Sequence, residues 1–321
     1  MKQFAMIGAA GYIAPKHMKA IKETQNSLVA AVDKFDSVGI IDQYFPQSAF
    51  FTEFERFDRH LEKLRRDGQK LDFISICSPN YLHDAHIRFG LRFGADVICE
   101  KPLVLNPWNA DALMELEKES QNKVNCILQL RLHKQVKILT EKVDELAHGE
   151  KHEVELSYIS PRGNWYYTSW KGDESKSGGI VANIGIHFFD LLILLYGDVI
   201  ENIVNINTHD RAAGILKMEK ANVKWFLSIN DLTLPEDIRS TDQRIYKSFK
   251  LGEQEFDLST GFEDLHTKSY EQILDGNGYG IHDAKKAIDL VYKIRTSTIS
   301  DITEESHKYA SLPLSKHPFS K

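Results

Sequence analysis

The stretch Asp96-Val97-Ile98-Cys99-Glu100-Lys101-Pro102 sets an acid and a base at the end of an apolar run and closes it with proline. Proline cannot donate to a ladder and pushes the preceding residue towards extended geometry, so Lys101 is expected at the carboxyl end of a core strand. In open α/β sheets that edge is where ligands bind, and a lysine held there can reach a substrate. A surface turn with a solvated lysine is the plainer alternative. The second candidate, His187, follows the pair Gly178-Gly179 in Asn183-Ile184-Gly185-Ile186-His187-Phe188-Phe189-Asp190. His187 and Asp190 are three apart on an expected helix and share a face, so the carboxylate could orient the ring. A lone histidine on an apolar helix is more often structural. An imidazole titrating near neutrality is nevertheless the side chain best matched to taking a proton from an alcohol as hydride leaves.

The elements that must position Lys101 repeat a strand, turn and helix pattern. Phe4 to Ile7 reads as a strand, followed by Gly8-Ala9-Ala10-Gly11-Tyr12-Ile13-Ala14 and a helix to about Glu23. The glycines allow a tight turn that aims the first helical amides at a pyrophosphate, although the spacing is Gly-x-x-Gly-x-x-Ala and not the strict fingerprint. A second strand, Leu28 to Val32, ends at Asp33, 25 residues after Gly8. An acid there accepts from ribose hydroxyls and repels a 2′-phosphate, which favours NAD over NADP. The alternative is an acid that caps the next loop. A polar stretch from Phe35 to Phe57 and a charged helix near Arg59 to Arg66 come next. Phe73 to Cys77 is a strand running into Ser78-Pro79-Asn80, and Leu82 to Phe93 is a helix. With Val124 to Leu128 as a further strand, the economical solution is a doubly wound parallel sheet.

At 321 residues the chain exceeds the size at which one core usually stops growing, so two domains are expected, 1–130 and 131–321. A hydrophobic content of 42% and a charged content of 27% are those of an ordinary globular protein. The net charge of −6, without a basic block, argues against nucleic acid as a partner. Cys77, Cys99 and Cys126 form no Cys-x-x-Cys pair and read as buried thiols in a reducing compartment. No metal site is expected. The N-terminus enters a strand directly and no window approaches a spanning length, so no membrane partner and a cytoplasmic location are expected.

Beyond Leu132 the pattern changes. A helix from about Lys134 to Ala147 precedes alternating stretches at Val154 to Tyr158, Ile203 to Asn207, Val223 to Ile229 and Ile245 to Leu251. Such strands without helices between them predict a large, open, mostly antiparallel sheet with one face on a core and one free for a partner. Trp165, Tyr166, Tyr167 and Trp170 lie beside Arg162 and Lys171, as packing or as the rim of a ligand site. A last amphipathic helix, 283–294, could pack back on the first domain, and a polar tail ends the chain.

Taken together, Gly8 and Gly11, Ser78-Pro79-Asn80 with His83, Glu100-Lys101-Pro102, and His187 with Asp190 resemble the glucose-fructose oxidoreductase, inositol dehydrogenase and MocA family. The resemblance implies a Rossmann domain joined to an α/β domain with a large open sheet. It implies that Lys101 bonds the reacting hydroxyl and that His187 is the acid/base group. It also implies that Gly8, Gly11, Tyr12, Ile13, Asp33, Ser78, Asn80, His83, Glu100 and Lys101 bind the cofactor. Arg162-Gly163-Asn164-Trp165-Tyr166, Ser169-Trp170-Lys171-Gly172-Asp173, Asn183 and Asp264-Leu265-His266-Thr267 resemble a narrower group, the UDP-N-acetylglucosaminuronate 3-dehydrogenases of bacterial surface polysaccharide synthesis. Many relatives in the wider family carry aspartate where this chain has Asn183. The narrower resemblance implies a UDP-sugar acid as substrate, 2-oxoglutarate as an agent that reoxidises NADH, and a homo-tetramer. A hexuronate and a diphosphate need cations and donors, for which Arg131, Arg162 and Lys171 are candidates, with Trp165 and Tyr166 offering flat apolar area. Asn183, His187, His266 and Thr267 complete the expected substrate set. Another sugar or polyol dehydrogenase of the same fold, a noncatalytic nicotinamide-binding sensor and a glycine-turn methyltransferase are the competing readings. A sensor needs neither Lys101 nor His187, and Glu100-Lys101-Pro102 has no role in methyl transfer.

Overall fold

Four residues of the first strand, Phe4, Ala5, Met6 and Ile7, are at most 3% exposed, as a strand covered on both faces must be. The computed structural model describes residues 1–144, 150–241, 244–257, 261 and 264–320. It divides into two units, Met1–Leu132 with Glu263–Lys285, and His133–Phe262 with Lys286–Lys321. The first unit thus draws on a return segment from late in the chain. The change of unit at 285/286 falls inside the last long helix, Ile281–Thr296.

In the first unit β1 (Gln3–Ile7), β2 (Ser27–Val32), β3 (Ala49–Phe51), β4 (Phe73–Ile76), β5 (Asp96–Cys99) and β6 (Val124–Cys126) form one sheet in the order β3-β2-β1-β4-β5-β6. All neighbours are parallel. The strand order reverses between β1 and β4, where Ile7 and Ile76 are paired, which is the switch point at which doubly wound sheets bind ligands. Helices Ala14–Glu23, Phe54–Arg66, His83–Phe93 and Pro107–Ser120 connect the strands. The polar stretch after Asp33 holds two elements that its composition hides, the short helix Ile41–Tyr44 and edge strand β3. The last strand stops at Cys126, two residues short of the sequence expectation, and a 3₁₀ turn follows at Gln129–Leu132. Helix Leu265–Leu274, which no hydrophobic period announced, returns to this unit and sets Tyr270 and Ile273 in the same buried cluster as Phe4, Met6 and Ile98.

In the second unit β7 (His152–Ile159), β8 (Val199–Asn207), β9 (Arg211–Met218), β10 (Ala221–Ser228), β11 (Tyr246–Leu251) and β12 (Gln254–Asp257) lie in the order β12-β11-β7-β10-β9-β8. Only β7 and β10 are parallel. The expected helix after His133 is Lys134–Asp144, and its expected end at Ala147 lies outside the described residues. Alternation sends Trp225 towards the apolar helix Ile186–Tyr196, where Phe189 meets it edge-on at 5.2 Å. The segment Glu174–Tyr196 is long and apolar enough to cross a membrane by composition, yet 72% of its most apolar window is buried in the protein. It belongs to the buried core of this unit. The opposite face of the sheet is not bare. Phe226 stacks on His307 at 5.5 Å, and Ala310 joins Ile159, Ile206 and Ala213 in one cluster, so the polar tail is laid across part of that face.

The tail is fastened by a buried ion pair. Arg211 and Asp210 are each 1% exposed; the guanidinium donates to Asp210 at 3.0 Å, to the Pro313 carbonyl at 2.9 Å and to Ser315 at 3.1 Å. Burial alone would raise the Asp210 pKa, but hydrogen bonds from Arg211, Asn230 and Thr208 hold it below the usual carboxylate range. Removing one partner of such a pair strands the other charge and costs about 3–5 kcal/mol. Arg211→Met should therefore lower the urea-unfolding free energy of the protein by that order and open the segment around 313–315 to limited proteolysis. Wild-type stability and protease resistance in the variant would show that the tail is held by its apolar contacts alone.

Candidate active site

The glycine turn is built by close backbone approach. Gly8 has φ +91°, and a Cβ on it would lie 2.5 Å from the Ser78 amide nitrogen. The turn can therefore follow β1 only if residue 8 is glycine. The Gly8 amide donates to the Val32 carbonyl at 2.8 Å, and the Ala10 amide to Asp33 Oδ2 at 3.0 Å. Asp33 also accepts from the Phe35 amide through Oδ1 at 3.0 Å. Both oxygens are thus oriented at the end of β2, each with acceptor capacity left for a hydroxyl. Ile13 packs against the buried cluster under the turn, whereas Tyr12 is 88% exposed. The open cradle and the oriented acid fit a dinucleotide, but the first amides of the helix, expected to face a pyrophosphate, are engaged: Ala14 donates to the Gly11 carbonyl at 3.1 Å and Lys16 to the Ile13 carbonyl at 3.0 Å, and Pro15 has none to give.

Across the switch point Ser78 and Asn80 are buried at the end of β4, and the Ser78 hydroxyl bonds His86 Nδ1 at 2.8 Å. His83 spans two chain segments: its Nε2 is 2.8 Å from the Ser78 carbonyl and its Nδ1 2.7 Å from the Pro102 carbonyl. Lys101 is half-buried at the end of β5, and its peptide bond to Pro102 is cis. The adjacent Glu100 is 6% exposed and accepts from His17 Nε2 at 2.9 Å and from His266 Nε2 at 3.0 Å, both on Oε1. Its Oε2 accepts from the Lys101 amide at 3.3 Å. Burial would raise the Glu100 pKa, but the two imidazole hydrogen bonds outweigh it and hold the group well below the usual carboxylate range. His17 itself is pushed down by burial, and its Nδ1 is 2.7 Å from the Tyr270 hydroxyl, which lies 2.7 Å from Ser75 Oγ. A neutral His17 then passes one hydrogen-bond direction along Ser75, Tyr270, His17 and Glu100. The ligand atoms of His17, Glu100 and His266 lie within 4.8 Å of one another, as a metal would require. Each is already satisfied at hydrogen-bond distance, so the group is complete as a network without an ion.

The other expected residues of this unit are engaged locally. Arg131 donates to the Asp283 carboxylate at 3.3 Å and its guanidinium covers the Tyr279 ring at 4.8 Å. The Thr267 hydroxyl donates to Glu23 at 2.6 Å. His266 is 4% exposed and turned onto Glu100.

In the second unit the helix that carries His187 contains a π turn over Val181–Gly185. Such an inserted residue redirects side chains and recurs at functional sites. Gly185 is required where the turn presses on the sheet, since a Cβ there would lie 2.5 Å from Leu227 Cδ1. Between 180 and 192 every residue is buried except Asn183 and His187. A mostly apolar helix is therefore partly open at two polar side chains four apart. Asp190, three residues on in the same helix, is 2% exposed. Asn183 Nδ2 donates to the Tyr166 hydroxyl at 3.0 Å, and Tyr166 is itself buried at 2%. Trp165 is 54% exposed, and Lys171 Nζ lies 5.6 Å over its ring and 4.9 Å over that of Trp170. Arg162 donates to Ser160 Oγ at 2.8 Å. Among the described residues neither Arg162 nor Lys171 has an acidic partner. Burial and the neighbouring Arg162 push the Lys171 pKa down. A positive neighbour without an acidic partner among the described residues makes the Lys171 charge more costly, a cost that an arriving anion would relieve. Sequence reasoning did not single out His17, which carries no local signal; Ser269-Tyr270 entered only through the resemblance to the narrower group, and Trp170 only as part of the aromatic group around Lys171.

Comparison with known proteins agrees with this geometry. Residues 2–127 match the model of an oxidoreductase family with an NAD-binding Rossmann fold, and residues 142–229 that of its C-terminal α/β domain. The chain is similar to the WlbA (WbpB) dehydrogenase from Thermus thermophilus in complex with NAD and UDP-GlcNAcA, with 44% identity and a TM-score of 0.93 over 96% of this chain and 100% of that one. The same dehydrogenase in complex with NAD and alpha-ketoglutarate gives 44% identity and a TM-score of 0.92, over 96% and 99% of the two chains. The D-glucoside 3-dehydrogenase of Escherichia coli (strain K12) is 25% identical over 144 residues, 44% of this chain and 39% of that protein, so the match spans well under half of that relative.

Because Gly8 combines a left-handed φ with backbone contact, Gly8→Ala must move Ser78 or unwind the turn. NAD affinity measured by calorimetry should fall by about 100-fold, a loss on the scale of a residue forced into a strained conformation plus overpacking. Retained affinity would mean that the cofactor does not use this turn.

Proposed function

The chain belongs to the Gfo/Idh/MocA family of NAD-binding oxidoreductases, and from that premise we propose that it oxidises the C3 hydroxyl of UDP-N-acetylglucosaminuronic acid to the 3-keto sugar. The observation that carries the reading is the 44% identity, over nearly all of both chains, to a dehydrogenase crystallised with NAD and UDP-GlcNAcA. The unneutralised pair Arg162 and Lys171 supports it independently, because a sugar acid on a diphosphate brings several negative charges.

In this reading Gly8, Gly11, Tyr12 and Ile13 hold NAD at the turn, Asp33 takes the adenosine ribose hydroxyls, and Ser78, Asn80 and His83 line the adjoining edge. NAD, when bound, supplies the hydride acceptor. The ammonium of Lys101 bonds the C3 oxygen and stabilises negative charge on it, while the imidazole of His187 takes the hydroxyl proton as the C3–H bond breaks and the carbonyl forms. Trp165 offers apolar area to the sugar or base, Asn183 a hydrogen bond, and Arg162 with Lys171 the counter-charge, whereas the expected Tyr166 face is buried and the ring instead supports Asn183 through its hydroxyl. Arg131 and Thr267 take part by exchanging their present partners for substrate. His266 serves the site through Glu100. 2-Oxoglutarate fits as the acceptor that takes the hydride back and leaves as 2-hydroxyglutarate, a reading supported by its presence in the relative's crystals. A cytoplasmic homo-tetramer serving surface polysaccharide synthesis is the setting that the resemblance implies.

Three outcomes are expected. NAD should bind better than NADP, since a 2′-phosphate beside Asp33 puts two anions together in a poorly screened cleft; equal affinities by calorimetry would remove Asp33 from the site. Positioned proton transfer contributes about 10²- to 10⁴-fold in rate, so His187→Asn should lower kcat by that order with NAD affinity intact. Wild-type turnover in that variant would require another base. UDP-N-acetylglucosamine, with a neutral hydroxymethyl in place of the carboxylate, should be a poor substrate, because cations placed for an anion are left unpaired. Comparable kcat/KM on the two sugars, or better turnover of free glucose or inositol, would overturn the substrate.

A further inference from the structure

We propose that His17 and His266 are positioning residues for Lys101: they clamp Glu100 as a buried anion and so fix the strand end that presents the lysine. The inference rests on the proposed function in giving Lys101 its task, but its geometry lies wholly in the first unit. Lys101 is pinned on both sides. On one side the Glu100 carboxylate takes two imidazole donors and the Lys101 amide, at 2.9, 3.0 and 3.3 Å. On the other, the Pro102 carbonyl is held by His83 at 2.7 Å.

The three holding rings come from three separate helices. His17 lies on Ala14–Glu23, His83 opens His83–Phe93 and His266 lies on Leu265–Leu274. A helix returned from 166 residues away is thus spent on one oxygen of the residue before the lysine. Side chains that only packed the interior would not need to be ionisable. An isolated buried carboxylate is costly, and an apolar pair of the same volume would serve packing as well or better. The arrangement makes sense if a rigid carboxylate beside Lys101 is itself needed, because a site must hold its groups within about 0.5 Å of the productive geometry. Glu100 Oε1 is filled by the two imidazoles, while Oε2 takes the Lys101 amide at 3.3 Å.

The test uses the whole protein with three variants. His266→Leu removes a donor at similar volume, His266→Gln restores an N–H, and Tyr270→Phe takes one hydroxyl from His17. A displacement of about 1 Å in a catalytic group can cost about 10²-fold. His266→Leu should therefore lose kcat by that order with little change in KM or NAD affinity, and His266→Gln should recover most of it. Reductive methylation with ¹³C-formaldehyde gives a substrate-independent readout. The Lys101 dimethylammonium signal, assigned by its loss in Lys101→Arg, should sit apart from those of exposed lysines in the wild type and move towards them in His266→Leu. If His266→Leu does not fold, Tyr270→Phe should show the same shift to a smaller extent. An unmoved Lys101 signal, unchanged kcat, or parallel losses in kcat, NAD affinity and Tm would overturn the proposal. So would stoichiometric zinc in the purified protein by mass spectrometry, because the cluster would then be a metal site. If the wild type turns over no UDP-sugar while the Lys101 signal still moves in the variants, the clamp stands and the substrate reading falls.

Discussion

A carboxylate removed from water must be given donors or surrender its charge, and much of the first unit's construction follows from meeting that demand at Glu100. The acid comes at the end of β5 because the apolar run that makes a central parallel strand leaves no room for it earlier. Its donors cannot come from the neighbouring strands, whose own hydrogen bonds are committed to the ladder. They come from the helix that follows the glycine turn and from one that returns after a long excursion of the chain. The second helix brings Tyr270, which orients His17 and at the same time stacks on Phe4, so one ring joins the polar network to the apolar core. The first unit is discontinuous in sequence for a physical reason: without the return segment a charged oxygen would be buried with half its donors.

The second unit solves the reverse problem. There the core is the apolar helix on the sheet, and polar function has to be let in. The π turn and Gly185 do this, letting the helix press on Leu227 while Asn183 and His187 come out on the one face that is not sealed. Along this stretch from 180 to 192, Asn183 and His187 are the residues that are not fully buried.

Legibility in the sequence followed the range of the interaction. The glycine turn, Asp33, the strand ending in Glu100-Lys101-Pro102 and most of the order of elements up to Cys126 could be read, because each depends on neighbours within a few residues. Strand β3 and the helix before it were hidden in a polar stretch, since an edge strand needs little apolar sequence. Strands β9 and β12 were missed: β9 is buried along nearly its whole length and shows no alternation, and β12 is short and charged. Nothing local could say that His266 faces Glu100, or that a polar tail would fold over a sheet with His307 inside it. Those facts depend on partners more than a hundred residues away, and composition is the same whether or not they meet.

Cations show the limit most clearly. Arg131, Arg162 and Lys171 are equivalent as letters, each a positive charge near a suspected site, and a count of charges cannot rank them. In the folded chain Arg131 is already bonded to Asp283 and stacked on Tyr279, so recruiting it to a substrate means giving up an ion pair and an aromatic contact. Arg162 and Lys171 have no such pair to lose among the described residues, and Arg162 raises the cost of the charge on Lys171. An arriving carboxylate or diphosphate relieves that repulsion in addition to forming its own bonds. The difference between the cations is therefore a difference in what binding must first undo, and it favours the second unit as the source of counter-charge.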